Sequence, residues 1–150
     1  MNIKNLKEGQ IVSVVMTYGF APDEPEKVVD IDYIIGTIRK IDIPNNLVQV
    51  THSPDVMVAP QYIFGVHISD LVLKRLGWNE IDIEKINVPK QKLSSIKTGY
   101  ERGKYQVFQE YDGTFYFIRS RSCPLEHVEY VHDFQKLGIN DLDPSKLLNK

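Results

Sequence analysis

The sequence predicts an α+β protein: an N-terminal antiparallel β-meander or small β-barrel, a short helix, and then a β-hairpin followed by an amphipathic helix. Three observations point there. Branched and apolar residues fill Ile11 to Met16, Val28 to Ile43 and Leu47 to Thr51 between turn-forming stretches, which is strand composition. Asp112-Gly113 separates two aromatic-rich runs, and such a pair supplies the positive φ angles of a tight hairpin turn. Pro124 and Gly138 bracket a segment with Tyr130, Phe134, His127, Val131 and Leu137 on one helical arc and Glu126, Glu129, Asp133 and Lys136 on the other.

Along the chain, Gly9 precedes the first strand, and Phe20 to Lys27, with two prolines and three acids, makes an exposed loop. Gly36 interrupts the long apolar run from Val28, where a strand must bend or bulge. Pro44-Asn45-Asn46 turns the chain into Leu47 to Thr51, and short strands are expected near Val56 and Ile63. The Leu6-Lys-Glu-Gly-Gln-Ile-Val, Ile35-Gly-Thr-Ile-Arg-Lys-Ile and Leu47-Val-Gln-Val phrases resemble the cadence of SH3-like small barrels, in which one bent strand serves two sides.

Ser69 to Gly77 carries a complete helix punctuation. Ser69 caps, Asp70 complements the N-terminal dipole, Lys74 and Arg75 the C-terminal one, and Trp78 packs back on Leu73 in a Schellman ending. Residues 79–103, with a lysine-rich run and no clear periodicity, read as a linker or extended arm. The hairpin register expected from a two-residue turn sets Phe108 opposite Phe117 and Val107 opposite Ile118. Asp143-Pro144 starts one last helical turn. The expected organisation is therefore 1–67, a helix over 68–78, an arm over 79–103, and a hairpin-helix unit over 104–150 packed on the first part.

With 150 residues the chain can bury a real core without cross-links. Its single cysteine, Cys123, has no internal partner and fits a reducing compartment. Neither a secretory leader nor an 18-residue apolar run is apparent, so neither secretion nor a membrane partner is expected. Charge is uneven: residues 1–84 hold 7 basic and 12 acidic side chains, 85–121 hold 8 and 3, and 122–150 hold 3 and 5. The middle is thus at +5 between flanks of −5 and −2, an asymmetry that suits an anionic partner or a solvated surface.

Within that middle, Lys97, Tyr100, Arg102, Lys104, Tyr105, Arg119 and Arg121 form the candidate binding constellation, with the arginines returning beside Gln106 and Lys104 at the positive end of the hairpin. No catalytic residues, metal ligands or cofactor are expected. Phosphate-loop, dinucleotide, nucleophile-elbow and Cys-x-x-Cys patterns are missing, and an enzyme is not expected. His127 and His132 lie about 140° apart on a helix and cannot share a metal. Cys123 and His127 could meet at the helix start but lack a third group, and His132 reads as structural. The Asp30/Asp32 and Asp82/Glu84 pairs point to one side of a strand and fit a solvated face better than a cation site.

Two phrases carry a resemblance: Ile68-Ser-Asp-Leu-Val-Leu-Lys-Arg-Leu-Gly-Trp and Val128-Glu-Tyr-Val-His-Asp-Phe-Gln-Lys-Leu, preceded by Leu6-x-x-Gly-x-x-Val. In this order they resemble a family of small, uncharacterised proteins of Bacteroidetes phages, prophages and mobile elements; the aromatic continuation typical after Leu137 is absent here. The resemblance implies an accessory protein of a bacterial cytoplasm or virion. The expectation is a non-enzymatic protein that binds a host or virion protein. A nucleic-acid or nucleotide binder using residues 97–121, or a virion structural component that assembles as a regular oligomer, is the alternative.

Overall fold

The computed structural model describes residues 1–20, 28–52, 55–119 and 124–147, with backbone only for 17–20 and 28–32. The α+β expectation holds. The chain divides into two compact units, Met1–Val66 with Asp141–Lys150, and His67–Asn140.

In the first unit, β1 (Ile11–Phe20), β2 (Val28–Asp42), β3 (Leu47–Val50), β4 (Val56–Val58) and β5 (Ile63–Phe64) form one antiparallel sheet in the order β4-β3-β2-β1-β5. Strand alternation makes the core: Val12, Val14, Ile38, Val48, Val50 and Ile63 point inward with Leu6. The 15-residue β2 serves two partners, pairing with β1 up to Thr37 and with β3 from Ile38. Gly36 permits the hand-over. A side chain there would meet the Thr51 carbonyl and come within 2.8 Å of Val50 Cγ1. Thr51 secures the junction by accepting from the Thr37 N–H through Oγ1, at 2.9 Å, and donating its own N–H to Thr37 O. The barrel expectation is corrected: among the described residues no pairing joins β4 to β5, so the sheet stays open, with β1 to β4 running as a meander and β5 added at the other edge of β1.

The second unit is also a five-stranded antiparallel sheet, in which the strands lie side by side in the reverse of their chain order. Its elements are α1 (Asp70–Arg75), β6 (Asn79–Ile81), α2 (Lys90–Leu93), β7 (Ile96–Arg102), β8 (Tyr105–Glu110), β9 (Phe115–Ile118), β10 (Glu126–Val128) and α3 (Val131–Lys136). Both faces of the hairpin are buried, as its aromatic content on both sides requires. One face packs Phe108 and Ile118 against Ile86, Val88 and Ile96. On the other, Phe134 of α3 stacks on Trp78 at 5.2 Å and tilts against Phe117 at 6.2 Å.

Four expectations change here. Residues 79–103 are not an arm but two strands and a helix, because Gly99 leaves room opposite Phe108 for Ile86, whose Cδ1 lies 2.5 Å from where a Cβ would stand. The hairpin register is shifted by one, with Phe108 opposite Tyr116 and Val107 opposite Phe117. Asp112 accepts the Thr114 N–H at 2.9 Å, and Gly113 at φ 93 takes the left-handed position of a three-residue loop rather than half of a two-residue turn. The four-turn helix is replaced: residues 126–128 pair with β9, and α3 spans six residues from its cap at Tyr130. The last turn, Pro144–Leu147, packs on β2 and belongs to the first unit, not to a 104–150 unit.

Candidate functional site

Of the seven basic and aromatic residues singled out above, six lie among the described residues, and these six do not form one patch. Tyr100 is buried in β7, and its phenol donates to Asp70 Oδ1 at 2.7 Å. Burial pushes the Tyr100 hydroxyl up to about 12, while the same hydrogen bond holds the Asp70 carboxyl below its usual range. Arg102 donates from Nε to the Leu76 carbonyl at 3.1 Å, and Arg119 donates from Nη2 to the Leu137 carbonyl. Each arginine thus satisfies a carbonyl left open at the end of α1 or α3, where cationic groups complement the helix dipole.

The two helix ends are alike. Each continues Leu-Gly-apolar, with Gly77 and Gly138 left-handed and with Trp78 N–H bonded to Leu73 O and Ile139 N–H to Phe134 O, both at 3.0 Å. Tyr105 is half-buried against Phe117, and Lys104 lies over the Tyr105 ring at 5.3 Å. Lys97 is exposed at the opposite end of β7, in a groove of about 610 Å³ whose walls include Asp82, Glu84 and Lys85. Arg121 and Cys123 lie outside the described residues, as does any meeting of Cys123 with His127. His127 is in β10, not on a helix.

His132 is buried, and among the described residues it makes no tie to a carbonyl. Its Nδ1 has no partner, Nε2 stands 4.0 Å from Asp133 Oδ1, and the ring stacks on Tyr130 at 5.2 Å with 7° between planes. Burial lowers its proton affinity, partly opposed by Asp133. No group of three or more His, Cys, Asp or Glu side chains is placed to hold a metal ion among the described residues. No helix among them is long and apolar enough to cross a membrane.

A different surface stands out in the first unit. On β1, Val12 and Val14 point into the core, so Ser13 and Val15 lie on the opposite face of the strand, which also carries the buried Ile11. Phe64 pairs across Ser13 and Tyr33 across Val15, placing two aromatic rings on that second face, on either side of β1. They are 47% and 57% exposed, and Met16, at the register shift of β1 after Val15, is 40% exposed. Sequence reading missed this pair because each ring belongs to a strand whose other residues enter the core, and only the cross-strand register brings them to one face.

Comparison with protein-family models, with curated proteins and with solved structures finds no match.

Proposed function

We propose that this chain is a non-enzymatic accessory protein of a phage or mobile element that binds a host or virion protein in the bacterial cytoplasm or the virion. The observation that carries the binding role is the pair Tyr33 and Phe64, large exposed aromatics on the two strands flanking β1 and on the same face of the sheet. Aromatic side chains supply contact area at low entropic cost and are enriched at protein interfaces. The phage context rests on the resemblance of the two phrases Ile68 to Trp78 and Val128 to Leu137. A concentrated basic site for nucleic acid is supported less, since Arg102 and Arg119 are engaged at helix ends and Tyr100 is buried.

The test is affinity capture from lysate of bacteria carrying the element, with the wild-type chain and a Tyr33→Lys/Phe64→Lys variant as parallel baits. A protein captured by the first and lost from the second supports the reading. Equal capture by both baits overturns it.

A further inference from the structure

The second unit carries another surface of different chemistry. Strand β10 is the outer strand of its sheet, paired through Glu126, His127 and Val128 to β9, with its other side unpaired among the described residues. Just beyond it the chain does accept a partner in that direction: Glu129 O takes the Ile68 N–H at 2.9 Å, and His67 bridges Tyr130 in antiparallel fashion. A groove of about 360 Å³ opens at this place. Its apolar floor is formed by Ile68, Phe115 and Val128, all buried, and its rim by His67, Asp112, His127 and Glu129.

Charge decides what fits. Glu126 and Glu129 are exposed and have no ion-pair partner among the described residues, and Asp112 uses one oxygen on the Thr114 N–H. That hydrogen bond lowers the Asp112 pKa and keeps it anionic. Leu125, directly before β10, adds an exposed apolar contact. An extended segment laid along a free strand edge gains main-chain hydrogen bonds from the edge and selectivity from side-chain pockets beside it. Asp112 and Glu129 on the rim of the apolar floor, with Glu126 nearby on β10, select a segment that alternates basic and apolar residues. A second copy of this chain would bring Glu126 and Glu129 against their own duplicates, and like charges directly opposite are unfavourable. We infer that the β10 edge takes up an extended basic-apolar peptide as an added strand. This does not depend on the Tyr33 and Phe64 surface, whose residues lie in the other unit.

The experiment titrates the full chain into a fluorescent eight-residue probe of alternating lysine and valine, and into the same probe N-methylated at alternate residues. The unmethylated probe should bind, and methylation, which removes the main-chain donors, should weaken binding by at least about tenfold. Glu126→Lys/Glu129→Lys should cost at least about the same factor. Asp82→Lys/Glu84→Lys, an equal reversal in the groove beside Lys97, should cost little. No binding by the probe, equal binding of the two probes, or equal losses from the two charge reversals would overturn the inference. So would a dimer in sedimentation that Glu126→Lys dissociates, which would assign the edge to a second copy.

Discussion

The Tyr100 hydroxyl donates to Asp70 Oδ1 across 2.7 Å, tying the middle of β7 to the first turn of α1. An aromatic residue that composition alone assigns to a binding patch is therefore a strut inside the second unit. Tyr100→Phe should lower stability by about 1 kcal/mol, the middle of the range for a single hydrogen bond, because half-exposed Asp70 regains water once the phenol is gone. Urea midpoints measure this.

The same pair sets a pH dependence at both extremes. The Tyr100 pKa is raised in the folded state, so its stabilisation is present below the ordinary value near 10 and is lost as pH rises toward about 12. The Asp70 pKa is lowered, so its share is present above the ordinary 3.8 and is lost as pH falls through the folded value. In an absorbance titration a tyrosine step should appear above the ordinary value, toward about 12, and Tyr100→Phe should remove it.

His132 governs the mildly acid range. Its folded-state pKa lies below the ordinary 6.5, so the unfolded chain binds the extra proton first and stability falls as pH drops from about 6.5 toward the folded value. Melting temperature should decline from pH 7 to pH 5 in the wild type. His132→Leu should flatten that decline, and an unchanged slope would show that other groups govern it.

Phe134→Ala should cost about 3–5 kcal/mol, since the ring is fully buried between Trp78 and Phe117. Glu129→Ala, which removes an exposed side chain without an ion pair, should change the denaturant midpoint little. Gly36→Ala, forced against the Thr51 carbonyl and Val50, should cost about 1–3 kcal/mol.

Much of this architecture is legible in local signals. Ser69, Gly77 and Trp78 behave as their positions require: Ser69 Oγ accepts the Val72 N–H at 3.2 Å and Trp78 closes onto Leu73. Pro144 starts the last turn where expected. The failures come where a local pattern has two solutions. Glu126 to Val128 fit a helical arc, yet also a strand, and pairing with β9 decides. Asp112-Gly113 announces a hairpin, but the Asp112 carboxylate on Thr114 sets the loop length and with it the register. Residues 79–103 show no periodicity because β7 carries a bulge between Ile96 and Thr98 and gives up a side chain at Gly99 to admit Ile86. The candidate site was least legible: clustering of Arg102 and Arg119 suggests a patch, whereas their targets are carbonyls far away in sequence.

The most direct measurement is the affinity of a purified captured partner for two surface variants of equal size, Tyr33→Lys/Phe64→Lys and Lys97→Glu/Lys104→Glu, each shown to fold by circular dichroism. Loss of at least about tenfold in affinity for the aromatic variant, with near wild-type affinity for the charge variant, is the predicted result. Intact binding by the aromatic variant and loss with the charge variant would contradict it and return the contact to the basic residues of the second unit.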